Sequence, residues 1–125
     1  MKQIFRFMTA GVVAAVLVSP VVAHASPPSH PQNEEAALEL LQRTLKRDHV
    51  YEKRISWDCI SFGTEETTKD YFEFVLREIH NAKCGGDPET SHVLDRYRVY
   101  RRSGKIQQYE AAGDTWHPYK PAQTK

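Results

Sequence analysis

Residues 79–92 read Ile-His-Asn-Ala-Lys-Cys-Gly-Gly-Asp-Pro-Glu-Thr-Ser-His, and this stretch decides how the rest of the chain is arranged. It holds Cys84, one of the chain's two cysteines, next to a Gly-Gly pair and an Asp-Pro sequence of the kind that starts turns. We predict a loop that a covalent bond ties to the remainder of the fold. Because it contains many polar side chains, this loop is the strongest candidate for a binding or catalytic site.

The second cysteine, Cys59, lies 25 positions before Cys84. An even number of cysteines in an exported protein is most simply one disulfide, so we predict a Cys59–Cys84 bond. In the chain-entropy model, closing a loop of this length stabilises a domain by roughly 3.5 kcal/mol. A thiolate metal site or a catalytic cysteine is the less favoured alternative, because the spacing is too wide for a zinc knuckle and there is no Cys-x-x-Cys pair.

The N-terminal residues have the pattern of a secretory signal peptide. Basic Lys2 and Arg6 precede an apolar run, and Ala23-His24-Ala25 supplies the small residues that signal peptidase requires. An uncleaved anchor is the alternative, but the proline-rich sequence that follows favours cleavage near Ala25 and a periplasmic or secreted product. We expect a signal peptide at 1–25, a disordered leader at 26–32, one domain at 33–112 and a C-terminal tail at 113–125.

The charge of the mature part excludes one class of partner. The chain has 17 basic and 16 acidic residues, and residues 1–25 carry two of the basic ones and none of the acidic ones, which leaves 15 and 16 and a net charge of −1. Because such a chain has no broad positive field, we expect no nucleic-acid partner. After cleavage no apolar stretch approaches membrane-spanning length, so no membrane span is expected.

The periodicity predicts one helix followed by strands. Asn33 can cap a helix of about fifteen residues, with Ala37, Leu41 and Leu45 on its apolar face. Alternating apolar and polar residues predict strands at 55–62, 71–79, 93–102 and 105–111, with 63–68 as a polar connection. The segment 69–83 could instead form a helix, but its aromatic residues favour the strand.

Ser103-Gly104 predicts a bulged hairpin between the last two strands, with a three-residue turn that ends at a left-handed Gly104. We expect Tyr97 opposite Tyr109 and Val99 opposite Gln107 on one face, and Trp116 over the end of the core. The opposite face would be basic and would carry Arg96, Arg98 and Tyr100.

These elements predict an α+β fold in which one N-terminal amphipathic helix packs on an antiparallel sheet of about four strands. The element order resembles that of cystatin-like domains. The runs Arg77-Glu78-Ile79-His80-Asn81, Cys84-Gly85-Gly86-Asp87-Pro88 and Asp95-Arg96-Tyr97-Arg98-Val99, about a quarter of the mature chain, also resemble small uncharacterised exported bacterial proteins. That resemblance implies export and no particular activity.

Catalytic signals are missing from the sequence. It has no Gly-x-Ser-x-Gly elbow, no Walker loop and no His-Glu-x-x-His motif. Glu78 could form a carboxylate pair with Asp87 or Asp95 for glycoside hydrolysis, but a domain with this many acidic residues always allows such a pairing. We therefore expect no enzyme activity and no cofactor.

Recognition is the class that the sequence favours. The binding candidates are His80, Asp87 and His92 on the loop and Arg96, Arg98 and Tyr100 on the hairpin. We expect a non-enzymatic exported domain whose loop contacts a protein or another component of the bacterial cell envelope. The alternatives are an inhibitor or immunity protein against a peptidoglycan-cleaving enzyme, and a loop metal site formed by His80, Asp87 and His92.

Overall fold

The computed structural model describes residues 30–121, and the expected signal peptide and most of the expected leader lie outside this range. The elements are a helix, a single 3-10 turn and five strands. They are α1 Glu34–Arg47, the 3-10 turn Trp57–Cys59, β1 Ile60–Thr67, β2 Tyr71–Glu78, β3 Val93–Tyr100, β4 Ile106–Glu110 and β5 Thr115–Pro118. The α+β class is therefore confirmed.

Helix α1 begins where the capping signal predicts. The Asn33 side chain accepts a hydrogen bond from the Ala36 backbone N–H at 2.8 Å, which satisfies one of the free donors of the first turn. Ala37, Leu41 and Leu45 are buried. The helix therefore lies with its apolar stripe on the sheet, as the spacing of these residues predicts.

The sheet is antiparallel as expected and has five strands, in the order β1-β2-β3-β4-β5, where about four were expected. The additional strand, β5, lies in the segment taken for a tail, and it pairs antiparallel with β4. Trp116 of β5 does not cover the end of the core. It packs against the Arg98 side chain on the opposite face, with the Arg98 Cζ atom 4.0 Å from its ring centroid.

The first strand begins later than predicted. Residues Trp57–Cys59 form a 3-10 turn instead of a strand, closed by a hydrogen bond from the Cys59 N–H to the Ser56 carbonyl. The strand then continues through the segment predicted as a polar connection, with a β-bulge between Thr64 and Glu66. Strand β1 is at the sheet edge, where solvent on one side accepts polar side chains while β2 supplies the ladder hydrogen bonds.

Strand β2 has the extended conformation that its aromatic residues favour. The hairpin β3-β4 also forms, and Gly104 has the predicted positive φ, +66°. Its register differs by one residue from the prediction, since Tyr97 pairs with Gln108 and Val99 with Ile106. The reason is the turn: Tyr100 donates its N–H to the Lys105 carbonyl, so four residues lie between the closing pair.

The core lies between α1 and one face of the sheet, called the inner face here. Its sheet residues include Phe72, Phe74 and Leu76 of β2, all at most 2 % exposed. Burying a side chain of this size contributes about 1.5 to 3 kcal/mol. A polar cluster completes this face, in which the hydroxyl of Tyr51 lies 2.9 Å from that of Tyr97 and donates to the Asp95 carboxylate.

The Cys59–Cys84 disulfide is confirmed, with the two Cα atoms 5.6 Å apart. It joins the last residue of the 3-10 turn, directly before β1, to the middle of the loop that connects β2 and β3. Within residues 30–121, no helix has the length and apolar character needed to cross a bilayer.

Candidate functional site

The loop of residues 79–92, called the tethered loop here, is held by backbone hydrogen bonds as well as by the disulfide. Its first turn is closed in both directions, because the Gly85 N–H donates to the Asn81 carbonyl at 2.8 Å and the Asn81 N–H donates to the Gly85 carbonyl at 3.2 Å. The Asn81 side-chain oxygen also accepts from the N–H groups of Lys83 and Cys84. This turn has little freedom left.

A second turn follows at Asp87. Its carboxylate accepts from the Glu89 N–H at 3.0 Å, and its carbonyl accepts from the Thr90 N–H at 3.0 Å. The loop then closes onto β2, where the Glu78 N–H donates to the His92 carbonyl at 2.9 Å. Both ends of the tethered loop are thus fixed to the same short segment of the sheet.

His80 lies under this loop and has a fixed ring orientation. Its Nδ1 is 3.0 Å from the Asp87 carbonyl oxygen, and its side chain is 9 % exposed. Gly86, at φ +81°, passes directly over the ring: a Cβ on Gly86 would lie 2.6 Å from the His80 Cγ and Cδ2 atoms. The glycine is therefore needed for its conformation and for the space that the imidazole occupies.

Two imidazoles meet one carboxylate at the base of the loop. His80 Nε2 is 2.8 Å and His92 Nδ1 is 3.5 Å from the same oxygen, Oε2 of Glu78. The hydrogen bond from His80 holds the pKa of the Glu78 carboxyl below its usual range, and the same bond raises the pKa of His80. We call Glu78, His80 and His92 the loop cluster.

The loop cluster differs from the predicted metal set by one residue. His80 and His92 do come together, but the Asp87 carboxylate accepts from the Glu89 N–H instead, and only the Asp87 carbonyl contacts His80. Glu78 takes its place. The sequence did contain this signal, because Glu78 and His80 are two residues apart at the end of an extended strand, a spacing that puts side chains on one side.

The hairpin candidates lie on the sheet face opposite the core, the outer face. Arg98 pairs with Glu73 at 2.9 Å and lies between two aromatic rings, 4.3 Å from the Tyr71 centroid and 4.0 Å from that of Trp116. Arg96 pairs with Glu65 at 2.7 Å. The predicted basic face is therefore wrong, since carboxylates from β1 and β2 neutralise both guanidinium groups.

Tyr100 is remote from the tethered loop. It pairs with Tyr71 at the other end of β3 and donates its hydroxyl to the Gln107 side chain at 3.0 Å. It lies seven positions after Val93 along the strand, which corresponds to about 23 Å. The six predicted binding residues therefore form two regions: the loop carries His80, Asp87 and His92, and the outer face carries Arg96, Arg98 and Tyr100.

The suggested carboxylate pairs engage separate partners. The Glu78 carboxylate contacts the two imidazoles, whereas that of Asp95 accepts from Tyr51 and from Gln108 on the inner face.

Comparison of the chain with protein-family models, with curated proteins and with solved structures finds no match.

Proposed function

We propose that this protein is a non-enzymatic exported binding domain and that the tethered loop contacts a protein partner in the bacterial cell envelope. The observation that supports this best is the combination of a fixed backbone with exposed side chains. Every residue from Gly85 to His92 is exposed, while the disulfide and the two hydrogen-bonded turns hold the main chain. A segment ordered before binding loses less conformational entropy on association.

The side chains of the loop suit a protein surface. Lys83, Asp87 and Glu89 place charges of both signs within one short segment. Val93, at the start of β3, is the one large apolar residue in the described part of the chain that is exposed, at 39 %. An apolar contact beside fixed charges is the usual composition of the centre and rim of a protein interface.

The outer face is a weaker contact candidate. Its guanidinium groups already have carboxylate partners, and Arg98 is packed between two rings. A partner would have to displace these interactions before gaining its own.

The experiment is a pull-down from envelope extract with three matched variants. Glu89→Arg reverses one loop charge without removing a side-chain hydrogen bond of the turn, since Glu89 contributes its backbone N–H there. Glu35→Arg makes the same reversal in the first turn of α1, and Arg96→Ala alters the outer face. We expect Glu89→Arg to lose a protein that the wild type and Glu35→Arg both retain.

Equal recovery of every protein by wild type and Glu89→Arg would contradict the loop as the contact surface. Loss with Arg96→Ala alone would move the contact to the outer face. If the captured protein is a peptidoglycan-cleaving enzyme, its activity with and without the purified domain tests the inhibitor alternative directly.

A further inference from the structure

The loop cluster has the composition of a transition-metal site. Glu78 offers a carboxylate oxygen and His80 and His92 each offer a ring nitrogen, and these three atoms all lie within 4.8 Å of one another. Two histidines and one glutamate are a known ligand set for zinc sites that keep a fourth position open. Ligands about 2.1 Å from a tetrahedral ion lie about 3.4 Å apart, so side-chain shifts of about an ångström bring all three into range.

The orientation of His80 is the second, independent observation. His80 Nδ1 lies 3.0 Å from the Asp87 carbonyl oxygen and 3.0 Å from the Thr90 Oγ1 atom, and these contacts fix the direction of the ring. The Nε2 atom is then directed at the Glu78 carboxylate 2.8 Å away. In the tautomer that carries its proton on Nδ1, the Nε2 lone pair and the Glu78 carboxylate are directed at each other, so a metal ion could bind to both.

The bond from a ligating histidine to a backbone carbonyl is typical of metal sites, because it fixes the tautomer and the ring direction. Here Gly86 covers the ring on one side, and the disulfide two residues away holds the turn in place. The ligand atom of His80 is therefore positioned before any ion arrives.

His92 supplies the adjustable third ligand. Its backbone carbonyl is fixed by the Glu78 N–H, so its Cα has a defined place beside the carboxylate. Its side chain is 71 % exposed, so the ring can rotate by the amount that coordination requires. The same exposure leaves one side of the cluster open to solvent.

Two other histidines show what an ordinary surface pair looks like. His49 contacts Glu52 at 2.8 Å and His117 contacts Glu110 at 3.1 Å, and all four side chains are more than half exposed. In the described residues only the loop cluster brings a second imidazole to the same carboxylate oxygen.

We propose that Glu78, His80 and His92 bind one divalent transition-metal ion of the zinc class, with a fourth position open to solvent. The proposal does not depend on the protein partner, because the variant Glu89→Arg leaves all three ligands in place. Loss of a partner and loss of the metal can therefore be measured separately.

The test is calorimetric titration of the untagged, disulfide-bonded protein with Zn²⁺. We expect one saturable site per chain. Since removing even an outer-shell group of a metal site weakens binding about 10- to 100-fold, His92→Ala and Glu78→Gln should each weaken it at least tenfold. His117→Ala, which removes an exposed histidine from a carboxylate pair, should bind Zn²⁺ as the wild type does.

Titration with Co²⁺ adds a readout of geometry, because tetrahedral and octahedral Co²⁺ differ strongly in visible absorption. An intense spectrum that disappears in His92→Ala would support the site. No saturable Zn²⁺ binding, or equal weakening by His92→Ala and His117→Ala, would overturn the proposal. His92→Ala changes an exposed side chain, so a failure to fold is not expected to obscure the result.

Discussion

At the scale of single residues, the two consecutive glycines of the tethered loop have different roles. Gly85 and Gly86 both have positive φ, +76° and +81°. A Cβ on Gly85 meets nothing within 4 Å, whereas one on Gly86 would lie 2.6 Å from two atoms of the His80 ring. Substitutions at these two glycines can therefore distinguish two free-energy costs: that of placing a side chain at positive φ, and that of a steric clash with His80.

We expect Gly85→Ala to lower the free energy of unfolding by about 1 kcal/mol, because alanine adopts a positive φ less readily than glycine does. Gly86→Ala should lose a further 1 to 3 kcal/mol or so, because the methyl group displaces a nearly buried imidazole. Denaturant titration of the two variants measures both values. Equal losses would mean that His80 moves aside without cost and that its position is not fixed.

The buried tyrosines Tyr51 and Tyr97 make the stability of the fold depend on pH. Burial raises the pKa of Tyr51 and of Tyr97 above the ordinary value. Because the folded-state pKa is the higher one, the contribution of each neutral phenol is fully present below the unfolded-state pKa of about 10 and is lost as pH rises beyond it.

We therefore expect the free energy of unfolding to fall above about pH 10, by about 1.4 kcal/mol per pH unit for each of these two tyrosines. Denaturation curves across the alkaline range measure the slope. Tyr97→Phe should roughly halve the part of the slope that these two residues cause. An unchanged slope in that variant would show that Tyr97 ionises equally well in both states.

At the scale of elements, the cross-strand pairs of the outer face are unequal. The Arg98 and Glu73 side chains are 22 % and 11 % exposed, whereas those of Arg96 and Glu65 are 32 % and 38 % exposed. The first pair is the more strongly desolvated, so removing one partner leaves a charge that water reaches poorly.

We expect Arg98→Ala to destabilise the fold by about 2 to 3 kcal/mol, since it leaves Glu73 without its partner and removes the cation between two aromatic rings. Arg96→Ala should cost about 0.5 to 1 kcal/mol, as a more exposed ion pair does. Thermal or denaturant unfolding of the two variants provides the comparison. A loss for Arg96→Ala as large as that for Arg98→Ala would contradict this ranking.

The elements also show how far local sequence predicts the fold. Helix α1, strand β2 and the β3-β4 hairpin were predictable because capping residues, aromatic density and a Ser-Gly turn act over short distances. Most of β1, beyond Phe62, and all of β5 were not, since their polar residues become strands through the ladders of β2 and β4. The register shifted by one residue because the turn holds four residues, which composition does not reveal.

The sequence predicted where in the chain the candidate site lies, but not all of the residues that form it. The cysteine, the glycines and the two histidines identified the tethered loop, and the structure brings both imidazoles together. Glu78 was missed as their partner because it belongs to the preceding strand. Its convergence with His92 depends on the antiparallel return of the chain, a tertiary contact.

At the scale of the whole molecule, one covalent bond links the loop to the sheet. The disulfide closes a loop of 25 residues that contains β1 and β2. Its contribution is largest in the unfolded state, whose freedom it restricts.

Replacing both Cys59 and Cys84 by alanine should lower the free energy of unfolding by roughly 3.5 kcal/mol. Hydrogen exchange should show the largest loss of protection at the Gly85 amide, which depends on the turn that the bond holds. Unfolding curves measured on the double variant give the free energy. A loss below about 1 kcal/mol would mean that the loop keeps its structure without the bond.

The bulge in β1 affects the tendency of the protein to aggregate through its sheet edges. Strands β1 and β5 are the two edge strands of the sheet, and the unpaired backbone groups of an edge strand can pair with a strand of another molecule. On β1 the bulge adjoins exposed Glu65 and Glu66, while β5 has only four residues and ends in Pro118, which has no N–H to give. The bulge and the charges of β1 therefore disfavour pairing with a neighbouring chain at that edge. The short length of β5 and its proline do the same at the other edge.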